Sequence, residues 1–236
     1  GGGGGIGRAI ATAVVGRGQP VVLIGRERSR LDEARASLAG PGQVVVAPAD
    51  IQDEPAMRAI VDDAAARFGG IDALVACAAA HGPEGPLDEL PLDAVASTFM
   101  VNLVGTAVSC RAVLPHLRRS GRGNLVLYTS GAGHVIPRRD VRSIAYQISK
   151  FGIDGLVNGL AVQLRGSGIN VNGIRPGRTL SGANLGRGLS DLRAPEQSVA
   201  ATLFLADLEP SELSGFVLEA ADFERGFRPT RGDHTL

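Results

Sequence analysis

GGGGGIGRAIATAVVGRGQPVVLIG, residues 1–25, is the stretch that decides the fold. A glycine-rich run leads into apolar residues at helical spacing, Ile6 to Val15, and then into a β-branched run, Pro20 to Gly25. A turn, a helix and a strand in this order form one unit of a protein in which helices and strands alternate. The stretch therefore predicts an α/β protein, provided that the alternation continues.

The alternation continues along the rest of the chain. The remaining predicted strands are Gln43 to Ala49, Asp72 to Ala78, Asn124 to Ser130, Ile169 to Ile174 and Gly215 to Ala220. The remaining predicted helices are Ser29 to Leu38, Glu54 to Phe68, Leu92 to Leu117, Ser143 to Arg165 and Pro195 to Leu205. With no internal repeat or long linker, the pattern predicts a single α/β domain over residues 1–236, a doubly wound (Rossmann) parallel sheet with helices on both faces.

A glycine turn of this kind follows the first strand of such a fold, and the sequence has no residue before Gly1. A parallel sheet that lacks a central strand would leave main-chain groups unpaired. We therefore expect a β-strand to precede Gly1, so the first strand is apparently missing from the sequence.

Composition argues against several functional classes. The chain has 44% apolar residues and a formal net charge of zero, which disfavours disorder and a general electrostatic grip on nucleic acid or an anionic membrane. No apolar run approaches the roughly 20 residues that span a bilayer. The four histidines have no metal-ligand spacing, so we expect no metal. Cys77 and Cys110, both in apolar surroundings, suggest reduced thiols and a cytoplasmic protein.

Gly1, Gly5 and Gly7 form a G-x-x-x-G-x-G spacing directly before the first predicted helix. Glycines let the main chain approach a pyrophosphate closely, and the N–H groups of a helix N-terminus favour its negative charge. A flexible linker is also rich in glycine, so the spacing alone is weak evidence. The helix and strand that follow favour a phosphate-binding turn for a dinucleotide.

The residue at the end of the next strand distinguishes two dinucleotides. An acidic residue there would bind the ribose 2′-hydroxyl of NAD, whereas an arginine would pair with the 2′-phosphate of NADP. The chain has Arg26 there and Arg8 behind the glycine turn, so NADP is favoured over NAD. As alternatives, Glu27 could reach a hydroxyl and both arginines could be solvated surface charges. Asp50 could accept a hydrogen bond from adenine or cap the helix that starts near Glu54.

Tyr146 and Lys150 lie four residues apart on a predicted helix, so their side chains share one face. An ammonium near a phenol favours the phenolate and would lower the tyrosine pKa toward the range useful for proton transfer. The same spacing is common on solvated helices. Ser130 supports the functional interpretation, because it ends a predicted strand at the edge of the sheet where doubly wound folds bind ligands.

Six motifs in order make the chain similar to the short-chain dehydrogenase/reductase family over nearly its whole length. They are the glycine turn, Asp50-Ile51, VNLVG with Asn102, YTSGAG with Ser130, YQISK with Tyr146 and Lys150, and IRPGRTLS from Ile174 to Ser181. The resemblance implies a catalytic set of Asn102, Ser130, Tyr146 and Lys150. With Arg26 included, the expected cofactor contacts are Gly1, Gly5, Ile6, Gly7, Arg26, Asp50, Ile51, Ala78, Tyr146, Lys150, Pro176, Gly177, Thr179 and Ser181.

The resemblance also implies a role for each catalytic residue. Tyr146 would be the general acid in carbonyl reduction and the base in alcohol oxidation. Lys150 would hold the nicotinamide ribose and lower the Tyr146 pKa, while Ser130 would hydrogen-bond the substrate oxygen. Asn102 would hold a water that connects Lys150 to solvent. The expected activity is an NADP(H)-dependent interconversion of a carbonyl and a secondary alcohol by hydride transfer, on a small-molecule substrate.

One departure from the family pattern keeps a second hypothesis open. Residues 76–79, Ala-Cys-Ala-Ala, stand where the family has Asn-Asn-Ala-Gly. The loss of these amides puts cofactor affinity and stability in doubt more than the proton-transfer residues. The alternative is a catalytically weak dinucleotide-binding protein with a regulatory or scaffold role.

Other segments bear on the substrate and on assembly. Arg138, Arg139 and Arg142 would favour an anionic substrate at the pocket mouth, although a solvated charge cluster is the better interpretation. The segment between PGRTLSGANL, which ends at Leu185, and Pro195 is short for a region that commonly forms the substrate lid in the family. Either the pocket is open and accepts bulky or varied substrates, or residues are missing from the sequence. The small residues Gly152, Gly155, Gly159 and Ala161 would permit close helix approach, in a homodimer or homotetramer or within one subunit.

Overall fold

The structure is a computed structural model that describes residues 1–131, 143–180 and 192–230. The α-helices of this part are α1 (Gly5–Gly16), α2 (Arg28–Ser37), α3 (Glu54–Phe68), α4 (Leu92–Phe99), α5 (Gly105–Ser120), α6 (Ile144–Gln163), α7 (Val199–Ala206) and α8 (Ala220–Glu224). The strands are β1 (Val21–Gly25), β2 (Val44–Pro48), β3 (Ala73–Ala76), β4 (Gly123–Tyr128), β5 (Ile169–Arg175) and β6 (Val217–Glu219). Short 3-10 turns lie at Leu87–Glu89 and Pro195–Ser198, and a π-helical turn at Met100–Val104 joins α4 to α5.

Local signals explain why α3 has the predicted bounds. Asp53 Oδ1 accepts a hydrogen bond from the Ala56 N–H at 3.0 Å, which satisfies one of the free donors of the first turn. Gly69 ends the helix at φ +82°, a conformation that glycine adopts without strain. The suggested cap at Asp50 is therefore wrong, because the cap lies next to the helix at Asp53.

The strands form parallel sheets, as predicted. In the described residues β3, β4, β5 and β6 form a four-stranded sheet in that order, and β1 and β2 form a two-stranded sheet. Leu125 in β4 pairs with Leu74 on one side and Val171 on the other. Because every pair is parallel, the carboxyl ends of the strands lie on one edge, where the predicted site residues follow them.

Helices cover both faces of the four-stranded sheet. Leu125 packs in one core cluster with Leu117 of α5 and Ile153 of α6. Its neighbour Val126 points the other way, into a second cluster with Ile10 of α1 and Leu205 of α7. This two-faced burial confirms the doubly wound α/β interpretation.

β1 and β3 face each other across a cavity of about 350 Å³. The cavity is lined mainly by apolar residues of the two strands, among them Leu23 and Leu74. At its carboxyl end, the Gly1 and Gly2 nitrogens each donate to the Ile24 carbonyl at 2.9 Å. A Cβ on Gly1 would lie only 2.8 Å from the Ala78 nitrogen, so Gly1 bridges the ends of β1 and β3.

The predicted helix Leu92 to Leu117 is interrupted by the π-helical turn, where the Gly105 N–H donates to the carbonyl of Met100 five residues back. The helical run Leu92–Ser120 has 29 residues, and an 18-residue window within it has a mean hydropathy of 1.3, enough to cross a membrane by length and composition. Counting unbroken apolar runs missed this. One such helix is weak evidence for a span, because core helices meet the same test, and this one packs against α3 and α6.

Candidate active site

The glycine turn presents the open N-terminus of α1. Gly5 begins the helix at φ +48°, and no side chain caps the first turn or places an acid in it. A Cβ at Gly7 would lie 2.2 Å from the Gly1 carbonyl oxygen, whereas a Cβ at Gly4 would meet nothing within 4 Å. The main chain is thus folded tightly on one side and open on the other. Such a cradle of free N–H groups fits a pyrophosphate.

The end of β1 carries the charges predicted to read the ribose. Arg26 is exposed, and no ion pair to it exists within the described ranges. The neighbouring acid is engaged, because Glu27 Oε2 lies 2.9 Å from Arg30 Nε. Asp50 Oδ1 accepts hydrogen bonds from the main-chain and side-chain nitrogens of Gln52, at 2.9 and 3.1 Å, in a local turn after β2.

Three further expected cofactor contacts are the apolar residues Ala78, Ile51 and Ile6. Ala78 follows β3, with its main chain against Gly1. Ile51 is half-buried, and its Cδ1 would lie 2.7 Å from a Cβ on Gly105, so it packs against the start of α5. Ile6 also is half-buried and packs on the α1 side of the sheet. These apolar residues support the cradle and leave its N–H groups exposed.

Asn102 lies in the π-helical turn and is buried. Its Oδ1 accepts from the Ala80 N–H at 2.7 Å, and its Nδ2 donates to the Ala80 carbonyl at 2.8 Å and to Ser149 Oγ at 2.9 Å. The side chain therefore clamps the loop after β3 to α6. This clamp holds the residue directly after the segment 76–79 in which the family's asparagines are missing. The expected water relay to Lys150 stays a prediction.

Tyr146 and Lys150 lie near the start of α6, as the sequence predicts. The helix is capped by Ser143, whose Oγ accepts from the Tyr146 N–H at 3.2 Å. Lys150 Nζ donates to the Tyr128 carbonyl, at the end of β4, at 2.7 Å and lies 5.5 Å from the centroid of the Tyr146 ring. Ser130, two residues after β4, hydrogen-bonds the Tyr146 side chain. The strand end and the helix start thus bring Ser130, Tyr146 and Lys150 together.

Burial controls the protonation of both groups. Burial lowers the pKa of Lys150 to about 8, with the nearby Cys77 and Asp154 acting in the opposite direction. Burial also raises the pKa of Tyr146, and the hydrogen bond with Ser130 opposes this rise. The net pKa of Tyr146 is therefore raised and not lowered, and the contribution expected of Lys150 stays a prediction. Its ammonium is directed to the Tyr128 carbonyl, and desolvation of the phenol dominates.

Pro176, Gly177 and Thr179 follow β5 at the same edge. Gly177 has φ +79°, and a Cβ there would lie 2.7 Å from Arg193 Cδ, so only glycine fits. Thr179 is buried and its hydroxyl donates to the Gly177 carbonyl at 3.3 Å. Ser181 lies outside the described residues, as do Arg138, Arg139 and Arg142.

Two features of this edge were not predicted from the sequence. The His81 ring stacks on the Tyr146 ring, with 4.7 Å between the centroids and 29° between the planes. Arg175 donates to Asp154 Oδ2 at 2.9 Å, one helical turn beyond Lys150. The position of His81 just after β3 was a signal available in the sequence. The pairing of Arg175 with Asp154 requires the tertiary structure.

Metal ligands do not gather at this site. Among the described residues, no group of three or more histidine, cysteine, aspartate or glutamate side chains lies together as a metal site would require. The arrangement is instead that of a proton donor, a hydrogen-bond donor and a cation beside an anion cradle. It is suited to proton transfer next to a bound dinucleotide.

Comparison with known proteins agrees with this geometry. A sequence profile described as short chain dehydrogenase matches residues 1–187. Cis-4-hydroxycyclohexanecarboxylate dehydrogenase of Sinomonas cyclohexanicum is 32% identical over 228 residues, 91% of this chain and 90% of that one. A short-chain type dehydrogenase/reductase from Mycobacterium ulcerans is 26% identical, with a TM-score of 0.83 over 93% of this chain and 85% of that one. NAD⁺-bound xylitol dehydrogenase is 25% identical, with a TM-score of 0.84 over 92% and 94%. The chain therefore belongs to the short-chain dehydrogenase/reductase family of oxidoreductases.

Proposed function

We propose that the protein is an NADP(H)-dependent oxidoreductase that interconverts a secondary alcohol and its carbonyl, with Tyr146 as general acid and base. The observation that carries the proposal is the contact of Ser130 with Tyr146 beside the buried Lys150, at the carboxyl edge of the sheet. When bound, the nicotinamide group supplies or accepts the hydride.

In the reduction direction, Tyr146 Oη gives its proton to the substrate oxygen, which gains the electron pair of the former carbonyl bond. The Ser130 hydroxyl donates a hydrogen bond to the same oxygen and so orients it. Lys150 supplies positive charge near the phenolate that remains. In the oxidation direction each proton transfer runs in reverse, with the phenolate as base.

The names of similar proteins support the substrate class. The Sinomonas relative acts on a cyclohexane alcohol, and the D-threitol dehydrogenase of Mycolicibacterium smegmatis is 35% identical over 173 residues. Both substrates contain secondary hydroxyl groups. We therefore place the substrate of this chain among cyclic alcohols and polyols, or their ketones.

The choice of NADP over NAD rests on the end of β1. Arg26 is exposed, whereas Glu27, the residue that would favour a free 2′-hydroxyl, pairs with Arg30. Some relatives use NAD, among them a 2-dehydro-3-deoxy-L-rhamnonate dehydrogenase of Sphingomonas, which is 29% identical. Both cofactors therefore belong in every assay.

The direct test is the change Tyr146→Phe. The wild-type protein should oxidise cis-4-hydroxycyclohexanecarboxylate, D-threitol or xylitol with NADP⁺, followed by NADPH absorbance. The variant should lose about 100-fold or more in kcat, because it lacks the transferred proton, while NADPH binding measured by fluorescence stays within about twofold. A variant as active as wild type would refute the mechanism. NADPH binding without turnover of any alcohol or ketone would instead favour the weak-enzyme alternative.

We also propose that α6 forms an interface with a second copy of the chain. Its exposed positions Ile148, Phe151, Gly155, Gly159 and Val162 lie on one stripe, since they recur at three- and four-residue steps. A Cβ at Gly155 or Gly159 would meet nothing within 4 Å. Gly152 differs, because a Cβ there would lie 3.1 Å from Leu103 of the same subunit.

The interface proposal predicts that Phe151→Glu dissociates the assembly to the 24.3 kDa subunit, measured by light scattering. A charge in an apolar contact would have to be desolvated on association. Leu87→Glu, an exposed apolar position outside α6, serves as control and should leave the mass unchanged. A wild-type protein that is already monomeric would contradict the interface.

The cysteines support a cytoplasmic location. Cys110 is a free buried thiol, and burial raises its pKa to about 12; Cys77 is free and half-buried. Unpaired thiols are typical of a reducing compartment.

A further inference from the structure

His81 is held in place by a chain of buried hydrogen bonds that also reaches Tyr146. The preceding residue, Ala80, exchanges two hydrogen bonds with the Asn102 amide. Asn102 donates to Ser149 Oγ, and the Ser149 hydroxyl donates to the Tyr146 carbonyl at 2.7 Å. Asn102 and Ser149 are 1% and 0% exposed. The loop of His81 and the backbone of Tyr146 are thus joined by buried hydrogen bonds through Asn102 and Ser149.

The side chains of these two residues meet at the end of that chain. The imidazole and the phenol are stacked, with 4.7 Å between centroids. The same phenol ring has Lys150 Nζ at 5.5 Å from its centroid and Ser130 at its hydroxyl. Flat rings in this arrangement restrict each other's rotation and exclude water from the shared face.

We propose that His81 is a positioning residue of the active site, whose ring holds the Tyr146 phenol toward Ser130 and keeps water from its face. This role rests on the proposed function of Tyr146. The contact that carries this role is the ring stacking, so a flat ring at position 81 is what the role requires. The loss of the ring should therefore impair proton transfer through Tyr146 and leave dinucleotide binding unchanged, because the glycine cradle lies on α1.

The sequence supplies a spectroscopic test that does not need turnover. The chain has two tyrosines and no tryptophan, so Tyr128→Phe leaves Tyr146 as the only phenol. This background change is mild, because the Tyr128 partners keep main-chain acceptors: Ser198 Oγ donates to the Pro195 carbonyl and Thr202 Oγ1 to the Ser198 carbonyl. Phenolate absorbance then reports the titration of Tyr146 alone.

In this background, His81→Ala should shift the phenol titration to lower pH. Burial is what raises the Tyr146 pKa, and removing the covering ring admits water that stabilises the phenolate. His81→Phe keeps a flat ring, so its Tyr146 phenol should titrate at the same pH as in the Tyr128→Phe parent. His116→Ala is the matched control, because His116 lies on α5 in contact with Asp62 and Arg119, and should change nothing at Tyr146.

In the otherwise native chain, His81→Ala should lower kcat for cis-4-hydroxycyclohexanecarboxylate about tenfold or more, with NADPH affinity unchanged. His81→Phe should restore most of kcat. The proposal would be overturned if His81→Ala left both the Tyr146 titration and kcat unchanged in their respective backgrounds. It would also be overturned if His81→Phe impaired both as much as His81→Ala does. If wild type turned over no alcohol, the proposed function would fail, and the titration would still decide whether His81 covers Tyr146.

Discussion

The two sheets of the protein differ in burial and in the candidate site residues that follow their strands. β4 is buried along its whole length and lies between neighbours on both sides, whereas β1 and β2 are mostly half-buried, and β1 borders the cavity toward β3. The candidate catalytic residues Ser130, Tyr146 and Lys150 are fixed around the end of β4. The residue proposed to select the cofactor, Arg26, projects from the exposed end of β1. The candidate catalytic residues therefore surround the end of a fully buried strand, and the residue proposed to select the cofactor follows a half-buried one.

The largest effect is expected at Lys150, which lies against the end of the buried strand β4. Lys150→Met should reduce kcat/KM by about 100-fold or more, because it removes the cation beside Tyr146. In wild type, activity that needs the ammonium should be full below pH 8 and fall above it, since burial lowers the Lys150 pKa to about 8. The measurement is the pH profile of ketone reduction, because burial raises the Tyr146 pKa and the phenol that donates the proton stays protonated near pH 8.

Lys150→Arg is the control for this profile. Arginine keeps its charge through the whole range, so the fall above pH 8 should disappear even if activity is reduced. A wild-type profile that stays flat between pH 7 and pH 10 would show that the ammonium of Lys150 is not required.

A matched pair of core substitutions tests the difference in burial directly. Val126→Ala in β4 removes two methyl groups from a site that is 0% exposed and should lower the free energy of unfolding by about 2 kcal/mol. Val22→Ala in β1 makes the same change at a half-buried site beside the cavity and should cost less than about 1 kcal/mol. Urea denaturation measures both, and equal losses would mean that the two sheets are equally well packed.

The smallest effect is expected at Arg26, at the exposed end of β1. Arg26→Ala should weaken NADPH binding about tenfold, the value of one charge-assisted contact, and leave NADH binding unchanged. Arg28→Ala is a suitable control, because Arg28 pairs with Asp32 on α2. If both cofactors lost affinity equally, Arg26 would not read the 2′-phosphate. If neither did, the arginine would be a solvated surface charge.

Much of the fold follows from periodicity in the sequence. The strands after residue 20 and the bounds of α3 were predictable because β-branched runs and the Asp53-Pro55-Gly69 signals act locally. The proximity of Ser130 to Tyr146 followed from strand ends sharing one edge. The π-helical turn was not predictable, because its residues continue an apolar pattern that suits an ordinary helix.

Properties that depend on burial also escaped sequence analysis. Spacing placed Lys150 near Tyr146, but the direction of the Tyr146 pKa depends on desolvation, which only the packed structure shows. The clamp from Asn102 to Ala80 spans 22 residues and joins a loop to a helix. The sequence shows that His81 follows β3, but the stacking of its ring on Tyr146 is visible only in the tertiary structure.

The π-helical turn also separates the rotational phases of the helices on its two sides. A π turn holds about one residue more than an α turn, so each face of α5 is rotated by about 100° from where an unbroken α4 would place it. Deleting Met100 or Val101 would remove the extra residue before Asn102 and turn its side chain away from Ala80, even though no contact residue had been substituted. An alignment that absorbs a one-residue gap there compares helices with different inward faces, so homologous positions in this turn should be matched by structure before any residue is transferred.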